Sequence, residues 1–60
     1  MTYSEHSAEM RRKYGEGLSE DEHNKVYGFA YQRGHAAGYW DVEEHYREVS
    51  EFALGLLGRG

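Results

Sequence analysis

Histidine and acidic side chains are the residues of this sequence whose types and spacing could support chemistry. Asp41 and His45 are four positions apart, so both would project from one face of a helix. The favoured interpretation is structural: Asp41 or another polar group satisfies His45 and thereby fixes the packing register of an otherwise apolar face. Two alternatives stay open. His45 could form a pH-sensitive contact, because imidazole titrates near neutral pH, or the pair could supply two ligands to a metal.

The remaining histidines, His6, His23 and His35, show no ligand spacing, and we expect them on the surface or at an interface. The sequence holds no Gly-rich phosphate loop, H-E-x-x-H zinc motif or nucleophile elbow. A helical chain of 60 residues is also too small to enclose an active site that excludes water from a reaction. We therefore predict no enzymatic activity, no catalytic residue, no metal ligand and no cofactor.

Aromatic side chains are abundant, with six Tyr, two Phe and one Trp. Tyr and Trp, together with Arg, are the residue types enriched at binding hot spots. Two interpretations stay equally open: the aromatic residues fill the core of a small oligomer, or they form a surface for a partner or ligand. The candidates for that surface are Phe29, Arg33, Tyr39, Trp40 and Tyr46.

Two capping boxes mark the starts of the helices that would position these residues. Thr2 and Ser19 are each followed three residues later by Glu, the spacing in which hydroxyl and carboxylate cap each other's backbone. We predict an all-α fold with a single domain over residues 1–60. A first helix would cover about residues 3–14, a Gly-containing turn residues 15–18, and one long helix about residues 20–57.

An apolar stripe keeps its helical phase along the whole of the predicted long helix. Such a helix would be about 60 Å long, and the first helix is too short to cover it. We therefore predict that the helical hairpin assembles into a dimer or higher oligomer through this stripe. The residues assigned to self-association are Tyr27, Ala30, Tyr31, Gly34, Gly38, Val42, His45, Val49, Phe52 and Leu56.

Small residues recur every four positions at Ala30, Gly34 and Gly38. This spacing lets a second helix backbone approach closely, which would offset the cost of about 0.8–1.0 kcal/mol that each Gly imposes on a helix. The alternative is a kink or break near Gly34 or Gly38, which would give three helices instead of two.

Composition narrows the class of partner and the compartment. The net charge of −4 and the lack of a basic stripe argue against nucleic-acid binding. No segment approaches the roughly 20 apolar residues of a membrane span, and the N-terminus has no apolar signal-peptide core. The absence of Cys rules out disulfides and fits a reducing compartment. We predict a cytoplasmic protein without a membrane partner.

The stretch Gly34-His35-Ala36-Ala37-Gly38-Tyr39-Trp40-Asp41-Val42-Glu43 resembles a G-H-x-x-G-Y-x-x-V-E stretch of short uncharacterised helical accessory proteins of tailed bacteriophages. The resemblance transfers no residue roles, and it implies an accessory phage product acting in the host cytoplasm. The predicted function is a small helical protein–protein interaction module that binds itself and modulates or inhibits a host protein. Two alternatives stay open: an oligomeric sponge that binds a nucleotide-like small molecule at a subunit junction through Arg33 and Trp40, and a structural or assembly component.

Overall fold

Three helices make up the computed structural model: α1 (Tyr3–Tyr14), α2 (Glu20–Gly34) and α3 (Tyr39–Gly58). The structure describes residues 2–58, and it describes side chains for residues 2–55. Within that range all of the regular structure is helical, as the sequence predicts. None of the three described helices combines the length and the apolar character needed to cross a bilayer.

Both capping boxes form as the sequence predicts. The Thr2 hydroxyl accepts a hydrogen bond from the Glu5 N–H at 3.2 Å, and the Glu5 carboxylate accepts one from the Thr2 N–H at 3.0 Å. Ser19 and Glu22 repeat this arrangement at the start of α2, with both bonds at 3.2 Å. Each box satisfies backbone donors that have no partner within the helix, so both helix starts are fixed by local sequence.

The predicted single long helix over residues 20–57 is wrong, because the chain turns between Gly34 and Gly38. Gly38 has a φ of 117°, a backbone conformation that L-residues with a side chain rarely adopt and that glycine adopts readily. The Gly34 carbonyl accepts hydrogen bonds from the Ala37 and Gly38 N–H groups at 3.0 and 3.2 Å, which closes α2. The Gly38 carbonyl then accepts from the Asp41 N–H at 3.1 Å and opens α3.

The turn lets α3 return along α2, and the two helices cross closely at Gly34. A Cβ atom added to Gly34 would lie 2.6 Å from the Val42 nitrogen and 2.7 Å from the Asp41 carbonyl carbon. The small residue thus permits a close backbone approach, but between two helices of one chain. The prediction of a dimer or higher oligomer required an uncovered 60 Å helix, and that premise fails because α3 and α1 cover the stripe of α2.

The core lies where the three helices meet, and most of the interhelical contacts join α2 to α3. Helix α1 adds one fully buried apolar side chain, Met10, together with the buried ring of His6. His23 and Ser50 are the other buried polar residues among the described side chains. The buried apolar residues are Met10, Leu18, Val26, Tyr27, Ala30, Val42 and Tyr46, and Tyr14, Tyr31, Val49, Ala53 and Leu54 pack partly buried against them.

Candidate functional site

His6 joins α1 to the core of the protein. Its ring is 3% exposed, and its Nδ1 is hydrogen-bonded to the Tyr27 hydroxyl at 2.7 Å. The ring also lies against Tyr39 of α3, with 4.5 Å between the ring centroids. Burial lowers the pKa of His6 because it penalises the charged ring, and the nearby carboxylates of Glu9 and Glu43 oppose that effect. His6 is therefore held as a neutral imidazole.

His23 links all three helices through its two ring nitrogens. Its Nδ1 lies 2.7 Å from the Tyr46 hydroxyl of α3, and its Nε2 lies 2.9 Å from the Ser7 hydroxyl of α1. A neutral imidazole has one N–H donor and one acceptor nitrogen, so both hydroxyls can be satisfied at once. Burial lowers the pKa of His23, the positive charge of Arg11 lowers it further, and Glu20 opposes the change.

The order Ser7–His23–Tyr46 matches the arrangement of a nucleophile, a base and an orienting group. Its electrostatics do not suit catalysis. Burial raises the pKa of Tyr46 to about 12, so the phenol stays neutral and supplies no negative charge to balance a protonated His23. A proton taken from Ser7 would also leave a charged ring in a core position that is 4% exposed. We therefore assign this hydrogen-bonded chain a structural role.

Trp40 is the most exposed of the large hydrophobic side chains near the α2–α3 turn. Its side chain is 67% exposed, yet its orientation is fixed because the indole Nε1–H donates a hydrogen bond to the Ala37 carbonyl at 3.0 Å. The ring lies against Gly38, whose added Cβ would be 3.3 Å from the indole Cδ1. An exposed but immobilised indole loses little side-chain entropy when something binds to it.

A cleft of about 190 Å³ opens beside the Trp40 ring. One wall comes from α1, where the Tyr14 hydroxyl donates a hydrogen bond to a carboxylate oxygen of Glu43 at 3.2 Å. The opposite wall comes from α3, which contributes the ring and both signs of charge. The lining residues are Tyr14, Trp40, Glu43, Glu44 and Arg47.

Arg33 and Phe29 form a separate exposed pair on α2. The Arg33 guanidinium carbon lies 4.8 Å from the centre of the Phe29 ring, within the range of a cation–π contact. Arg33 and Trp40, which were predicted to bind a nucleotide-like ligand together, lie on different helices, because the turn places one on α2 and the other on α3. Neither Arg33 nor Phe29 lines the Trp40 cleft.

Two further residues of the predicted partner surface differ in their exposure. Tyr39 is exposed at the start of α3, and its ring lies against that of His6 at an angle of 41°. Tyr46 is 0% exposed, so its predicted place on the partner surface is wrong. Tyr46 can be buried because its hydroxyl forms a hydrogen bond with His23 inside the core.

The residues predicted for self-association are distributed between the core and the surface. His45 Nδ1–H donates a hydrogen bond to the Asp41 backbone carbonyl at 2.8 Å, and the Asp41 carboxylate lies 3.6 Å from the same nitrogen. Phe52 is 70% exposed, and the side chain of Leu56 lies outside the described residues. Tyr27, Ala30, Gly34 and Val42 are buried, and Tyr31, Gly38, His45 and Val49 are partly buried.

His6 and His23 were expected on the surface or at an interface, and the structure buries both. A sequence signal could have shown this. His6 precedes Met10 by four residues and His23 precedes Tyr27 by four, so each histidine lies on the apolar face of its helix. Within the described part of the chain, no group of three His, Asp or Glu side chains is placed to hold a metal ion.

Comparison with known proteins gives no match to this chain among protein-family models, curated proteins or solved structures. The resemblance to phage accessory proteins therefore stays a prediction.

Proposed function

We propose that this protein is a small helical interaction module that binds a basic segment of a partner protein in the cleft beside Trp40. The observation that carries the proposal is an exposed indole held in a fixed orientation next to two carboxylates. Trp is among the residue types most enriched at binding hot spots.

A Lys or Arg side chain suits the chemistry of this cleft. A cation over an indole face contributes about 0.5–1 kcal/mol at an exposed site, and more when it is desolvated. The carboxylates of Glu43 and Glu44 would accept charge-assisted hydrogen bonds from the same cation. Arg47 also lines the cleft and offsets one of the two carboxylates, so one basic side chain is expected to enter.

The charge of the whole chain supports a basic partner. The net charge of −4 is concentrated in residues 41–51, the segment of α3 that carries the cleft. Such a field steers an oppositely charged partner toward the site and raises the association rate. Under the phage resemblance, the partner would be a host protein and the interaction would modulate it in the host cytoplasm.

The cleft is less suited to the alternative of a nucleotide-like small molecule. Pockets for such ligands usually enclose about 300–1,000 Å³. The Trp40 cleft encloses about 190 Å³ and carries carboxylates that would repel phosphate. Arg33 does not line this cleft, so the guanidinium that the alternative assigned to the ligand is not part of it.

Titration with short peptides tests the proposal. Tetra-arginine and tetra-lysine peptides, with tetraglutamate as the control ligand, would be followed by NMR at the indole N–H of Trp40, the chain's one tryptophan. We expect saturable shifts with the basic peptides, weakened by salt, and none with tetraglutamate.

A matched pair of double variants separates the cleft from general electrostatics. One variant combines Glu43→Gln with Glu44→Gln, and the other combines Glu48→Gln with Glu51→Gln. Both change the net charge by the same amount, but only the residues of the first variant line the cleft. We expect the first pair to weaken peptide binding about tenfold more than the second, which corresponds to about 1.4 kcal/mol. Equal losses in both variants, or no saturable binding to the wild type, would refute the proposal.

A further inference from the structure

We infer that acid releases α1 from the α2–α3 pair and thereby dismantles the Trp40 cleft, with His6 and His23 as the groups that take up the protons. The role of the cleft rests on the proposed function, whereas the release of α1 is a property of the ligand-free chain.

Helix α1 is the least firmly attached of the three helices. It shares fewer contacts with α2 and α3 than those two share with each other. Its one fully buried apolar side chain is Met10, and Tyr14 packs against the core only partly buried. The other attachments of α1 are hydrogen bonds of His6, Ser7 and Tyr14, and contacts of the Tyr3 and His6 rings with tyrosines of α2 and α3. An element with few buried apolar contacts opens at a lower free energy than the rest of the protein.

The His6 site is built for a neutral ring. Protonation would place a full charge at a position that is 3% exposed, beside a Tyr27 hydroxyl that stays neutral because burial raises its pKa to about 12. The carboxylates near His6 favour the charged ring, but burial has the larger effect and the pKa of His6 is lowered overall. The titratable groups around the ring are Glu9 and Lys13 on α1, Tyr27 on α2, and Tyr39 and Glu43 on α3.

The His23 site has a further constraint in its hydrogen bonds. In a protonated ring both nitrogens donate, so the Tyr46 and Ser7 hydroxyl oxygens must both accept. Whichever of the two hydroxyls donated to the neutral ring then needs a new acceptor for its proton. The titratable groups around this ring are Arg11 on α1, Glu20 and Tyr27 on α2, and Tyr46 on α3. Separation of α1 removes the Ser7 contact and exposes the Nε2 side of the ring to water.

The direction of the pH effect follows from proton linkage. Both pKa values are lowered from 6.5 while α1 is docked, so the open form binds more protons below pH 6.5. The open population therefore rises as the pH falls from 6.5 to the lowered values. Each histidine contributes at most about a tenfold increase per pH unit in that window.

Tyr14 couples this opening to the cleft. Tyr14 is the last residue of α1, it lines the cleft, and its hydroxyl donates to Glu43 of α3. When α1 leaves, Trp40 and the acidic residues remain on α3 but the opposing wall is lost.

Hydrogen exchange of the ligand-free chain at pH 7.5 and 5.5, corrected for the intrinsic rates, tests the release. We expect the amides of α1 to lose more protection on acidification than the central amides of α2 and α3, by up to about tenfold for each histidine that takes up a proton. Unchanged protection of α1, or equal loss in all three helices, would overturn the inference. Because this measurement uses the wild-type chain, it decides the matter even where a histidine variant does not fold.

Variants identify the proton acceptors. His23→Gln should reduce the pH response of α1, whereas His35→Gln and His45→Gln, which alter histidines outside the buried set, should keep it. If the pH response of α1 keeps its full size in His23→Gln and also in His6→Gln, the assignment of the proton uptake to these two rings is refuted.

Tetra-arginine binding at both pH values distinguishes the two proposals. A loss of affinity at pH 5.5 that accompanies α1 release supports the coupling, and release with unchanged affinity refutes it. If tetra-arginine fails to bind at pH 7.5, the proposed function fails, and the hydrogen-exchange result still decides whether acid releases α1.

Discussion

Gly34 and Val42 bring the backbones of α2 and α3 into direct contact. A Cβ atom at Gly34 would lie 2.6 Å from the Val42 nitrogen, and the atoms it would meet belong to the main chain. A flexible side chain could rotate away from such a clash, but a helix backbone can only shift as a whole. The α2–α3 crossing, which positions both the core and the Trp40 cleft, therefore depends on the absence of a side chain at Gly34.

Gly34→Ala is expected to destabilise the protein. The added methyl group forces α2 and α3 apart, and overpacking of this kind typically costs about 1–3 kcal/mol. Urea denaturation followed by far-UV circular dichroism measures the change in the free energy of unfolding.

Gly28→Ala is the matched control, because a Cβ atom there would meet nothing within 4 Å. In the interior of α2 this change should stabilise the protein by about 0.5–1 kcal/mol through helix propensity. Stabilisation of similar size in both variants would contradict the close crossing.

Tyr27→Phe is expected to destabilise the protein through His6. Removal of the hydroxyl leaves the His6 Nδ1 without its 2.7 Å hydrogen bond in a buried site. A buried polar atom that loses its partner costs about 1–3 kcal/mol. Urea denaturation at pH 7.5, where His6 is neutral, gives the change without any contribution from its titration.

Tyr31→Phe serves as the control for that loss. Tyr31 is partly buried and packs against the core, but among the described side chains its hydroxyl has no hydrogen-bond partner. We expect a change within about 0.5 kcal/mol. Equal effects of Tyr27→Phe and Tyr31→Phe would show that the His6 contact contributes nothing.

Stability is also expected to fall above pH 10. Burial raises the pKa of Tyr27 and Tyr46 from 10.0 to about 12, so the unfolded chain loses these protons first as the pH rises. The unfolded state then binds fewer protons than the native state, and the free energy of unfolding decreases with pH between about 10 and 12. Denaturation midpoints at pH 9, 10 and 11 measure the slope. Tyr27→Phe should make it shallower, and an unchanged slope in that variant would exclude Tyr27 as a contributor.

The helix starts could be predicted from the sequence because each depends on residues only three positions apart. Each capping box is formed by reciprocal hydrogen bonds between two nearby residues, Thr2 with Glu5 and Ser19 with Glu22, and needs no tertiary contact. The break at Gly38 could not be decided in the same way. The apolar stripe keeps its helical phase through the turn, so periodicity alone does not distinguish a continuous helix from two helices that face each other.

The buried histidines escaped prediction for a different reason. A polar ring is buried in a core only when it has hydrogen-bond partners there, and the partners of His6 and His23 belong to other helices. Those pairings follow from the packing of α1 on α2 and α3. The predicted continuous helix, which had no turn at Gly38, did not contain this packing. The exposed aromatic surface was predicted more accurately at Trp40 than at Tyr46, because burial of Tyr46 depends on His23.

Gly38→Ala is expected to destabilise the protein and to disturb Trp40. An L-residue is strained at a φ of 117°, and such substitutions cost about 1 kcal/mol or more. The new Cβ atom would also lie 3.3 Å from the indole Cδ1, so the ring would move away from the Ala37 carbonyl. Denaturation measures the loss, and a shift in the tryptophan emission maximum reports the movement of the ring. Gly38→D-Ala, made by chemical synthesis, is the control: a D-residue favours positive φ, so it should leave stability unchanged or raise it. Equal destabilisation by L-Ala and D-Ala would show that crowding at the turn, and not its backbone conformation, is what requires glycine there.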